Sequence, residues 1–157
     1  MRKLTLLTIL LAAIGGFAQA QNDHPRAELF GGYQFTHLNP NLDANGWNAA
    51  VTGNLNRWFG ITADFSGAYK NGGHINTYAF GPTFSARTGR VTAFTHALFG
   101  GTCCDFAFMT ALGGGLDVNA GNHLAVRLVQ ADWLLFHADG STDKKNARIS
   151  CGIVLRF

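Results

Sequence analysis

The sequence predicts an all-β fold, an eight-stranded antiparallel up-and-down transmembrane β-barrel. Three observations predict it. Apolar and polar residues alternate with a period of two, segment after segment, with no long helical period. The alternating segments number eight, and each is near 10 residues long, which suits a tilted strand crossing a bilayer. The connections alternate in length, as a barrel with both ends of the chain on one side requires.

The segments run in order over residues 26–36, 46–56, 59–69, 76–87, 91–101, 106–118, 123–136 and 146–157. In the second, Trp47, Ala49, Val51, Gly53 and Leu55 oppose Asn48, Ala50, Thr52, Asn54 and Asn56. In the third, Phe59, Ile61, Ala63, Phe65 and Tyr69 oppose Thr62, Asp64 and Ser66. The fourth sets Tyr78, Phe80, Pro82 and Phe84 against Thr77, Thr83, Ser85 and Arg87. The last sets Ala147, Ile149, Cys151, Ile153, Leu155 and Phe157 against Arg148, Ser150, Val154 and Arg156. The seventh breaks strict alternation: Arg127 and Asp132 have opposite parity, with apolar Leu128 and Val129 between them. A β-bulge near 128–130 would turn Arg127, Gln130 and Asp132 to one face. The alternative leaves Asp132 beyond the bilayer.

Connections after the second, fourth and sixth segments are short, whereas those after the first, third, fifth and seventh are mostly longer or more polar, as in HLNPNLDAN and HADGSTDKK. That pattern predicts short periplasmic turns and longer external loops. Aromatic residues should then gather at both rims. Phe35, Trp47, Tyr69, Tyr78, Phe99, Phe106, Phe108, Trp133 and Phe136 fall at the outer rim, and Trp58, Phe59, Phe84 and Phe157 at the inner one. Phe65, Phe80 and Phe94 lie nearer mid-strand.

Ahead of this region, Arg2 and Lys3 precede an uncharged apolar run and the small residues Ala18 and Ala20. That is the layout of a secretory signal peptide over residues 1–20, cut after Ala20, with the barrel domain over 21–157. The mature chain would carry ten basic and nine acidic residues, a balance that does not point to nucleic acid. Cys103, Cys104 and Cys151 have no zinc-site spacing. The adjacent pair would form only a strained bridge, leaving intermolecular pairing open.

The end of the chain, SCGIVLRF, reads polar–x–Gly–x–x–apolar–x–aromatic through Ser150, Gly152, Leu155 and Phe157. It resembles the C-terminal β-signal of bacterial outer-membrane proteins, which the barrel assembly machinery recognises. FGPTFSAR, FTHALFGG, ALGGGLDV and VQADW extend the resemblance over residues 26–157, to small barrels of the OmpA/OmpX type and to porin-like outer-membrane β-barrel domain proteins. The resemblance implies a bacterial outer-membrane location and outer-membrane lipid as partner. It supplies no catalytic site.

An eight-stranded barrel has an interior that side chains fill. Parity turns Glu28, Asp64, Arg87, Asp117, Arg127, Arg148 and Arg156 inward. Buried charges need partners, so these should form a polar ladder. LGGGLD lacks the Lys-Ser/Thr of a phosphate loop, and its glycines fit bending or close approach instead. His37, His74 and His137 fall beside external loops, and His96, within the fifth strand, fits a hydrogen-bond network inside the barrel. No catalytic, cofactor or metal site is expected. The expected function is a monomeric, non-enzymatic envelope barrel with a mostly closed lumen, in a structural or surface-contact role with an unidentified loop ligand. A small solute pore, a membrane-embedded lipid-modifying enzyme and a soluble ligand-binding barrel are the alternatives.

Overall fold

The computed structural model describes residues 24–38, 42–70, 73–103, 108–138 and 141–157. Ala18, Ala20, Cys104 and Phe106, with the expectations attached to them, lie outside the described residues. Eight strands follow in order: β1 (Ala27–Leu38), β2 (Leu42–Asn54), β3 (Phe59–Lys70), β4 (Gly73–Thr88), β5 (Val91–Thr102), β6 (Phe108–Asn119), β7 (Leu124–Ala138) and β8 (Ser141–Arg156). Each pairs antiparallel with its neighbour, and β8 closes on β1. Closure satisfies every edge, which an open sheet could not do in lipid.

Alternation sorts the side chains cleanly. On β1, Leu29, Tyr33 and Phe35 are exposed while Glu28, Phe30, Gln34 and Thr36 are buried. The outer surface carries Val51, Ile61, Phe65, Phe80, Ile149 and Ile153, each about half exposed. An apolar exterior around a charged interior inverts the arrangement of a soluble domain, and it matches a hydrocarbon surrounding. Among the described residues no helix is long and apolar enough to cross a membrane, so strands are what could span one.

The contrast of short turns with long loops is overturned. The strand ladders continue to Leu38↔Leu42 and Ala138↔Ser141, so residues 39–41 and 139–140 are all that link those pairs. β2 begins at Leu42 and β8 at Ser141, well before residues 46 and 146. The polar residues there mark where the barrel leaves the apolar zone, not where the ladder stops. A ladder is held by backbone groups, and polar side chains can project into water without breaking it. β4 and β8 reach 16 residues each, beyond the roughly 9–11 that cross a bilayer. Ala27 and Arg156 lie at one end of the barrel, the terminal end, opposite the distal end.

Two aromatic placements also differ. Phe94 points into the barrel, where its ring meets a guanidinium, and Phe136 packs against the interior cluster Leu98, Met109, Ala111 and Leu134. Phe35, Trp47, Tyr69, Tyr78, Phe99, Phe108 and Trp133 are exposed on the outside. At the terminal rim Trp58 stacks on Phe84 at 6.0 Å, and Phe59 lies 5.3 Å from Phe84.

Candidate functional site

The lumen holds the chain's chemistry. β7 carries a bulge: Val129 pairs with Leu116 and Arg127 with Asp117, leaving Leu128 unpaired on that side. Leu128 and Val129 both face outward, at 58% and 40% exposure. Arg127, Gln130 and Asp132 consequently all face inward and are buried. The alternative that put Asp132 beyond the bilayer is excluded by its 3% exposure and its three lumenal partners.

The terminal half of the lumen is built on Glu28 and Asp117. Arg87 Nη2 donates to Glu28 Oε1 at 2.7 Å, and its Nη1 reaches the carbonyl of Arg57. Arg127 grips Asp117 with two bonds, Nε to Oδ1 at 2.8 Å and Nη2 to Oδ2 at 3.2 Å. Arg156 lies between them, 3.4 Å from Asp117 Oδ2 and 3.7 Å from Glu28 Oε1, and also bonds Asn119. The Arg127 guanidinium is sandwiched by Phe30 and Phe94, 4.3 and 4.1 Å from their centroids. Stacking of this kind adds to the paired charge what Lys could not supply.

The middle layer is built on Asp64 and Asp132. Arg148 Nη1 donates to Asp64 Oδ1 at 2.8 Å, and its Nη2 lies 2.6 Å from Asp132 Oδ2. Asn48 donates to Asp64 Oδ2 at 2.8 Å, and His96 Nε2 lies 2.8 Å from Asp132 Oδ1. Gln130 joins the two layers. Its Oε1 accepts from Arg127 at 2.6 Å and its Nε2 donates to Asp132 at 2.8 Å.

The seven charged residues picked out by parity thus lie in one chain of contacts, and Asp132 makes the eighth. Among the described residues four arginines meet four carboxylates, so the charges of the network balance. Every strand contributes at least one member, from Glu28 on β1 to Arg148 and Arg156 on β8. The expected bulge turns Gln130 inward and the fifth strand offers His96 to an interior network, but parity did not single out Asn48, because an uncharged polar residue on an inward face carries no charge to balance. It missed the Phe30–Arg127–Phe94 sandwich because stacking partners come from strands far apart in sequence. A hydroxyl chain, Thr52–Thr62–Thr83 at 2.8 and 2.6 Å, covers the facing wall.

Glycines make room for these side chains. A Cβ on Gly113 would strike the Asp132 carboxylate, and one on Gly115 would lie 2.8 Å from the Phe94 ring. GGG in β6 is therefore a bare strip against which Asp132 and Phe94 lie. At the β1–β8 seam a Cβ on Gly152 would collide with Gly31 and Gly32. Of the other residues in the terminal pattern, Ser150 is buried in the lumen, while Leu155 and Phe157 are exposed on the outer surface. Phe157 closes the seam through its backbone, accepting from Arg26 N at 2.6 Å and donating to Ala27 O at 2.9 Å.

A polar cavity of about 20 Å³ lies among Glu28, Asp64, Thr92, His96, Asp117 and Arg127, room for about one water molecule. On the distal side Leu98, Met109, Ala111 and Leu134 pack into an apolar cluster with Ala79. Among the described residues no group of His, Cys, Asp and Glu could hold a metal ion. Cys103 and Cys151 are free and exposed.

No family model matches the chain, and no curated protein does. Solved structures do match. A designed transmembrane β-barrel aligns with a TM-score of 0.62 at 11% identity, over 88% of this chain and 100% of that one. Neisserial surface protein A aligns with a TM-score of 0.61 at 6% identity, over 83% and 96%. Ail, the attachment invasion locus protein of Yersinia pestis, aligns in phospholipid bilayer nanodiscs with a TM-score of 0.55 at 15% identity, over 85% and 99%. At these identities the likeness is one of fold: a closed, eight-stranded transmembrane barrel.

Proposed function

We propose that the chain is an integral protein of the bacterial outer membrane, a monomeric and non-enzymatic barrel with a closed lumen that serves the envelope structurally or presents its distal end for surface contact. The observation that carries the reading is the charge-balanced polar network, with ionic groups from six strands and Asn48 and His96 from the other two, inside an apolar exterior. A soluble ligand-binding barrel would place charge outside and apolar groups within. A general pore would need a lumen wider than the cavity beside Arg127. His96 points into the lumen and bonds Asp132, whereas a lipid-modifying enzyme needs its base at a lipid-facing rim. Cleavage after Ala20 and recognition of Ser150, Gly152, Leu155 and Phe157 by the barrel assembly machinery belong to the same reading. The names of the fold's relatives, a surface protein and an attachment protein, favour surface contact over transport.

Fractionation tests this directly. The protein should partition with outer membranes, and its band should migrate differently before and after boiling. Recovery in the soluble periplasm, or one unchanging band, would overturn the reading.

A further inference from the structure

The cations of the chain are sorted by type and by end. Among the described residues, four arginines are consumed inside the lumen. The other three, Arg26, Arg57 and Arg90, are exposed at the terminal end. They stand one before β1, one between β2 and β3, and one between β4 and β5; the remaining turn there, between β6 and β7, carries exposed His123. Every connection at that end therefore offers a basic side chain. Among the described side chains the carboxylates nearest that end, Glu28 and Asp117, are buried and already paired inside. Among the described residues no carboxylate pairs with Arg26, Arg57 or Arg90. The distal end is mixed instead, with exposed Lys144 and Lys145 beside Asp143 and with exposed Asp43.

The depth of these arginines can be read from their neighbours. Arg57 is followed by Trp58, 59% exposed, which stacks with Phe84 beside Phe59. Such a cluster marks the boundary between hydrocarbon and headgroups. Guanidinium groups at that level meet phosphates, and their planar forks match a phosphate's paired oxygens better than an ammonium does.

From this charge complementarity we infer that the terminal rim is a docking surface for anionic phospholipid, whose headgroup phosphates engage Arg26, Arg57 and Arg90. The inference rests on the membrane-inserted reading above and goes beyond it in assigning a lipid class to one leaflet. It gives the barrel a fixed, charged footing on one face of the membrane, independent of whatever the distal end contacts.

The test uses the full chain refolded into vesicles of phosphatidylcholine alone, or of phosphatidylcholine mixed equally with phosphatidylglycerol. Lipid retained on the extracted barrel is measured by native mass spectrometry. The wild type should retain phosphatidylglycerol in excess, and salt near 1 M, where the Debye length is about 3 Å, should erase the excess. Arg26→Gln, Arg57→Gln and Arg90→Gln together should lower the preference by about tenfold or more, since one basic residue near an anionic surface is worth roughly fivefold. Lys70→Gln, Lys144→Gln and Lys145→Gln together should leave it unchanged. If the triple arginine variant fails to refold, the salt series on the wild type and the triple Arg→Lys variant, which keeps the charge, still decide. A wild type that inserts into both vesicles without excess phosphatidylglycerol overturns this inference alone. One that inserts into neither overturns the membrane reading as well. Arginine-dependent sedimentation with purified peptidoglycan, without a lipid preference, would assign the face to that polymer and overturn the inference.

Discussion

Arg148 on β8 spans the lumen between Asp132 on β7 and Asp64 on β3, within 2.8 Å of both carboxylates. Asp64 and Arg148 are 84 positions apart in sequence, so this bridge forms only when opposite walls of the barrel face each other. Arg148 is removed from bulk solvent, at 2% exposure.

Removing one member of such a group leaves the others charged and unpaired. Arg148→Met should destabilise the barrel by about 3–5 kcal/mol. Adding Asp64→Asn and Asp132→Asn should recover part of that loss, because the orphaned charges go too. Urea unfolding of vesicle-inserted protein, followed by the boiling-sensitive band, measures both. A single variant as stable as wild type would contradict the bridge's role.

The bulge makes an unusual deletion tolerable. Leu128 is the extra residue of β7, so deleting it restores regular alternation and keeps Arg127, Gln130 and Asp132 facing inward. Deleting Ala131 instead would turn one side of the network toward lipid. The Leu128 deletion should assemble at near-normal levels and the Ala131 deletion should not. Equal assembly of the two would count against the facing described here.

Lipid-facing positions should reject charge. Phe80 is 63% exposed on the outer wall, and Phe80→Arg should cost roughly 2–4 kcal/mol if it sits near mid-bilayer. Arginine at the rim position Trp58 should cost about 0–1 kcal/mol. Similar losses at both sites, measured by the same unfolding assay, would rule out a hydrocarbon slab centred on Phe80.

Phe157 holds the seam through backbone bonds to Arg26 and Ala27. Its deletion should leave export intact and reduce the amount of folded, protease-resistant barrel. Immunoblots of membranes after protease treatment would read this out, and normal levels in the variant would argue against an assembly signal at this position.

Transport is the last point to test. With a cavity of about 20 Å³ below an apolar cluster, the purified barrel should give no stable large-conductance channel in planar bilayers. Liposomes carrying it should swell in small sugars no faster than empty ones. Rapid swelling would revive the pore.

Much of this molecule is legible one strand at a time. The two-residue period separates Ile61 from Thr62 and Ile149 from Ser150 without knowledge of any partner, because one face must meet hydrocarbon. The mismatch of Arg127 with Asp132 is legible for the same reason: a charge on the lipid face would be too costly. Strand ends at Leu42 and Ser141 are not, because backbone pairing in water leaves no hydrophobic signature. Nor is Phe94's place beside Arg127. A phenylalanine suits either lipid or a guanidinium, and only the closed barrel brings β5, β7 and β1 together to decide between them.

The ionic network also governs how the barrel can be reached from the unfolded chain. Glu28 of the first strand pairs with Arg87 of β4, Arg156 of the last strand pairs with Asp117 of β6, and the two lie 3.7 Å apart across the β1–β8 seam. Before β1 meets β8, several of the eight charges lack partners while their neighbours are already leaving water. A half-zipped sheet is thus penalised and the complete ring is not. Arg127–Asp117 and Arg148–Asp132 join neighbouring strands and can form before the ring shuts, whereas Glu28 reaches Arg156 only when β1 meets β8.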